Sequence, residues 1–128
     1  MFEEGLVTYL SENVELTGLI GDRLYPLALP QSPTMPAVVY QEISAVPEYS
    51  QSGYSDLERT RMQFKCWANT LLMAKQIKAV LRMALSGFRG DMGEAQDVVS
   101  FIETGGSGLD GETGLSFVMF DAVIWHAE

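Results

Sequence analysis

Apolar residues change period several times along this chain, and each change marks an element. Phe2, Leu6, Tyr9 and Leu10 recur at three- and four-residue spacing, which predicts an amphipathic helix over residues 2–12. Glu3 and Glu4 sit in its first turn, where the helix dipole favours negative charge. Leu16, Leu19 and Ile20 predict a second helical turn, with Gly21 as its stop. Arg23–Tyr25 then reads as extended chain closed by Pro26, and Pro30, Pro33 and Pro36 make Leu27–Pro36 a loop. Ala37–Ser44 is rich in strand formers. Residues 45–56 hold Pro47, Gly53 and several serines and read as a polar hairpin loop or flexible arm. Leu57–Ala68 alternates strictly: Met62, Phe64 and Cys66 point one way, and Arg59, Arg61, Gln63 and Lys65 the other.

Helical spacing returns over Thr70–Ser86, the main helix, which Gly87 stops. Val98–Glu103 reads as a short strand, Gly105–Gly114 as a flexible tip with five glycines, and Leu115–His126 as the last strand. A short loop between two strands implies antiparallel pairing. Helices and strands do not alternate one by one. The order therefore predicts an α+β fold, an antiparallel or mixed sheet with helices on one face, and not a doubly wound α/β sheet. No internal repeat or long linker divides the chain, so residues 1–128 are expected to form one domain.

Composition narrows the function. An apolar share of 47% argues for a packed core. Eight Lys and Arg against 17 Asp and Glu give a net charge of −9. Phosphate-binding surfaces need a basic face, so nucleic acid and anionic membrane are poor direct ligands. One cysteine, Cys66, cannot make an internal disulfide and fits a reducing compartment. The acidic Met-Phe-Glu-Glu start is unlike a signal peptide, and no apolar run reaches the length of a membrane span. The expectation is a protein made and used inside a cell, or in a particle assembled there.

The candidate chemistry is thin. Residues Gly106–Gly111 spell G-x-G-x-x-G, but a strand follows and only 17 residues remain after Gly111. A dinucleotide site needs a helix there and a further strand with its acidic residue. A hairpin tip accounts for the glycines better. No Lys follows them, as a phosphate loop would require, and Asp110 and Glu112 are too few oxygens for calcium. His126 and Cys66 are the sole members of their kinds and cannot alone build a zinc site or an acid–base relay. His126 reads as a strand-end residue and Cys66 as a small buried hydrophobe. Glu3/Glu4 and Glu12/Glu15 read as a solvated helix face, not a glycosidase pair, and no G-x-S-x-G elbow occurs. No catalytic, cofactor or metal residue is expected.

Surfaces are more informative. On the main helix, Lys75, Lys78, Arg82 and Ser86 form one polar stripe, opposite Met73, Ala74, Ile77, Val80, Leu81 and Ala84. Leu71 and Leu72 flank the stripe. Either the stripe is a solvated ridge, or it is a contact surface that meets an acidic neighbour. Arg59, Arg61 and Lys65 form a second basic row, which serves either as a solvated sheet face or as cross-subunit ion pairs. Leu27–Pro36, Ala45–Asp56 and Gly105–Gly114 are candidate docking loops; the second carries Tyr49 and Tyr54, and the third carries Leu109 and Asp110.

Five blocks stand in order: GDRLYP (Gly21–Pro26), MPAVVYQEIS (Met35–Ser44), RTRMQFKCWA (Arg59–Ala68), ALSGFRG (Ala84–Gly90) and ETGLSFVMFDAVIWH (Glu112–His126). In that order they resemble the tail-completion, or tail-terminator, proteins of long-tailed phages, prophages and gene transfer agents. The resemblance runs from the first helix to Trp125-His126. It implies a mixed sheet with helices on one side and a ring, commonly six-fold, at the head-proximal end of the tail tube. Such a ring ends tube growth and offers the head connector a surface. The implied partners are other copies of the chain, the tail tube protein and the head-completion or connector protein. The implied location is the head–tail junction of the virion, after assembly in the host cytoplasm. The family has no known catalytic residues or cofactor. DNA would pass through without being bound specifically, and a carboxylate-rich lumen would suit that. Two alternatives stand beside this reading: another small neck protein, such as a head-completion stopper or tube subunit, and a small enzyme or ligand-binding domain.

Overall fold

The computed structural model describes residues 2–31, 34–50, 53–92, 95–109 and 114–127; at 47–50, 53–57, 95–97, 101, 103 and 104 only the backbone is described. The elements are α1 (Phe2–Ser11), α2 (Val14–Ile20), β1 (Leu24–Pro26), β2 (Ala37–Ser50), β3 (Gly53–Ala68), α3 (Leu71–Leu85), β4 (Arg89–Met92), β5 (Ala95–Leu109) and β6 (Ser116–Ala127). The strands form one sheet in the order β1-β2-β3-β6-β5-β4. β1 runs parallel to β2, and every other pair is antiparallel. The fold is α+β with a mixed sheet, as the element order predicts.

Local chemistry sets the helix ends. The Asn13 side chain accepts a hydrogen bond from the Leu16 amide (3.1 Å) at the start of α2, and Thr70 Oγ1 accepts one from the Met73 amide (3.2 Å) at the start of α3. Gly21 ends α2 at φ 60°, ψ −126°, a conformation that L side chains rarely adopt. Gly21→Ala is expected to destabilise the fold by roughly 1–3 kcal/mol through backbone strain alone. A denaturant titration with unchanged m would show it.

The alternation read in β3 decides which face is buried. Met62, Phe64, Cys66 and Ala68 are buried together with Val38 and Tyr40 of β2 and Val118, Phe120, Ala122 and Ile124 of β6. The helices close this face with Phe2, Leu6, Leu10, Leu16, Ile20, Ile77, Leu81 and Leu85. α1 is fastened to the end of α3 where the Tyr9 hydroxyl donates to the Ala84 carbonyl at 2.7 Å.

Two expectations fail. Residues 45–56 are not a loop or arm apart from the sheet. β2 and β3 pair from Ala37↔Trp67 out to Ser50↔Gly53, so most of this segment is a long two-stranded ribbon. Pro47 is tolerated because, among the described residues, β2 carries β1 only as far as Tyr40 and has no strand on that side beyond it. Nor is the chain before Gly114 a short strand and a glycine tip. β5 runs from Ala95 to Leu109, and the glycines up to 108 lie within it. β4, with the sequence RGDM, carries too little hydrophobic alternation to be foreseen.

Candidate functional site

The basic stripe of α3 faces a groove and not open solvent alone. Lys75, Lys78, Ala79, Arg82, Met83 and Ser86 form one wall; Gly105, Gly106 and Ser107 of β5 and Val118 of β6 form the other. The space measures about 730 Å³. Three of the chain's eight cations line it, and among the described residues no carboxylate does.

The two walls depend on each other. A Cβ built at Gly105 would stand 2.6 Å from Lys78 Nζ and 3.1 Å from the Met119 carbonyl oxygen. Glycine at 105 is what lets the lysine lie across the strand. Lys78 is partly buried, whereas Lys75, Arg82 and Met83 are exposed, Met83 at 80%. Cys66 is fully buried behind this region, and burial pushes its thiol up to about 12, with Lys78 pulling weakly the other way.

The second basic row lies on the opposite face of the sheet, and its members have partners within the chain. Arg61 Nη1 contacts Asp121 Oδ2 at 3.0 Å. With side chains 34% and 21% exposed, the pair contributes about 1 kcal/mol or less. The Arg59 guanidinium lies 5.7 Å from the Trp125 ring centre. Lys65 Nζ lies 4.6 Å from the Phe117 ring and 5.4 Å from the Trp67 ring. Phe117 also covers Gly108, its cross-strand partner, with ring carbons 2.6 and 2.9 Å from where a Cβ would stand. That cover explains how a glycine-rich segment holds as strand.

The other expected contact residues divide. Tyr49 and Tyr54 pair across the end of the ribbon, but their side chains lie outside the described residues, as does Asp110. Leu109 is 68% exposed at the end of β5. Exposed Ile43 and Val46 on the ribbon add apolar surface that the sequence reading did not single out.

His126 is more than a strand end. It is 2% exposed, its Nε2 lies 2.9 Å from the Thr60 hydroxyl, and its ring stacks on Phe2 at 4.0 Å. Glu58 Oε1 is 3.9 Å away. The hydroxyl contact and the ring stack together fasten the N-terminal helix to the sheet. Among the described residues there is no cluster of three or more His, Cys, Asp or Glu placed to hold a metal ion. Among the described residues no helix is long and apolar enough to cross a membrane.

The sequence matches the family model described as "Tail completion protein gp17" over residues 4–127. No curated protein matches by sequence. Among solved structures, a chain in one titled "Virion of native gene transfer agent (GTA) particle" is similar, with a TM-score of 0.76 and 14% identity. The match covers 94% of this chain and 90% of that one. At that identity the likeness is one of fold.

Proposed function

The chain belongs to the tail completion protein gp17 family and is a structural protein of the phage tail; from this premise we propose that it caps the head-proximal end of the tail tube as a closed ring of copies. In this reading the ring has six members, ends tube polymerisation and gives the head connector its docking surface at the head–tail junction. Its role is architectural and not catalytic. Residues 1–128 act as one domain.

The observation that carries the proposal is that the subunit has two unlike surfaces. A ring closed by rotation uses head-to-tail contacts, in which one patch meets a different patch on the next copy. The basic groove beside α3 offers one such patch, and the long β2–β3 ribbon with its open edge offers another. A net charge of −9 fits a lumen through which DNA slides without adhering.

Native mass spectrometry over a concentration series, followed by addition of purified tail tubes, tests the reading. The expected species is a ring of about six subunits, or a monomer that assembles on tube ends and stops their growth. Tubes that elongate unchanged in the presence of the protein would overturn the capping role. Lys78→Glu with Arg82→Glu is expected to weaken ring assembly on the order of tenfold or more while leaving the thermal midpoint nearly unchanged, because both charges sit on the groove and not in the core.

A further inference from the structure

Building on the ring reading, we propose that the groove between α3 and β5 is the receptor for the end of the β2–β3 ribbon of a second copy. The ribbon is acidic where the groove is basic. Past the Val46↔Arg59 pair, residues 47–58 carry three carboxylates, Glu48, Asp56 and Glu58, and no Lys or Arg. Beyond Tyr40 no strand lies against the outer edge of β2 among the described residues, and residues 41–46 are exposed along it. Such an edge is a ready partner for another chain unless something covers it. The ribbon supplies exposed Ile43 and Val46, and the groove supplies exposed Met83, so each side has apolar area to bury beside its charges.

A subunit cannot fill its own groove with its own ribbon. The groove lies beside Val118, which pairs with Cys66 near the end of β3, whereas the last described pair of the ribbon is Ser50↔Gly53. Thirteen residues of strand separate Gly53 from Cys66, roughly 40 Å at about 3.3 Å per residue. The groove of one copy and the ribbon of the next therefore make a head-to-tail contact. It can repeat around a ring and leaves no ribbon or groove vacant once the ring closes.

Charge exchange between two full-length variants tests this. Variant one carries K78E and R82E in the groove; variant two carries E48K and D56K on the ribbon. Alone, each is expected to assemble at least about tenfold more weakly than the wild type. Mixed in equal amounts, they restore assembly, because each groove then finds a ribbon of opposite sign, and the complexes contain the two variants in equal number. Native mass spectrometry of mass-tagged variants reads that ratio. Wild-type rings that form while both variants assemble normally overturn the groove–ribbon pairing and leave the ring standing. Loss in both variants without recovery on mixing also overturns it, since the groove would then hold another partner. A wild type that neither associates at millimolar concentration nor caps tubes sinks the ring reading together with this one.

Discussion

Phe64→Ala is expected to lower the unfolding free energy by about 3–5 kcal/mol, the usual cost of emptying an aromatic site in a core. The side chain is fully buried in the second half of β3. It stands between Tyr40 of β2 and Phe120 of β6, and its ring stacks on Phe120 with centres 5.3 Å apart and planes 21° apart. Strands on both sides hold the backbone, so the space cannot collapse easily. A domain of ordinary stability has about 5–15 kcal/mol in all, so the variant would sit near the edge of folding. The measurement is a shift in the denaturant midpoint at constant m. Phe117, on the other face and only half-buried, is the comparison. A loss at Phe64 below about 1 kcal/mol would show that the two faces of the sheet have been assigned the wrong way round.

The assignment of faces was legible in the sequence because a strand with one buried side leaves its signature in every second residue. β6 and the three helices carry that kind of local evidence and their limits are read within a residue or two, whereas β3 shows it only from Leu57 on and begins at Gly53. The ribbon and the length of β5 were not legible. Pro47, Gly53 and the serines look like turn residues, and what makes strands of them is the partner on the other side of the ladder. Gly108 likewise owes its place in β5 to the cover of Phe117 on the neighbouring strand. The site divides the same way. Lys75, Lys78 and Arg82 could be placed on one stripe from their spacing. The wall they face, Gly105–Ser107, could not, because it depends on the register of β5 against β6. The burial of His126 against Phe2 joins the two ends of the chain, and no local pattern records it.

Cys66 should be almost inert toward thiol reagents while the protein is folded. Its side chain is fully buried between the sheet and α3, and desolvation pushes its pKa from 9.0 up to about 12. The reactive species is the thiolate. Three units of pKa reduce the thiolate fraction about a thousandfold at any pH below 9, before the physical barrier of the core is counted. Labelling by a disulfide reagent at pH 8 is therefore expected to be at least about 10³-fold slower in the native protein than in denaturant. The same shift fixes the sign of an alkaline effect. Above about pH 9 the unfolded chain releases the thiol proton and the native chain keeps it, so the native state binds more protons and stability falls as pH rises. The slope approaches about 1.4 kcal/mol per pH unit between roughly pH 9 and 12. Cys66→Ala removes this component, so the stability gap between wild type and variant should narrow over that window and stay constant below it. A gap that does not change with pH, or rapid labelling of the native protein, would mean that the strip of core under Lys78 opens to water, and the groove above it would then be a mobile surface unsuited to holding a partner in register.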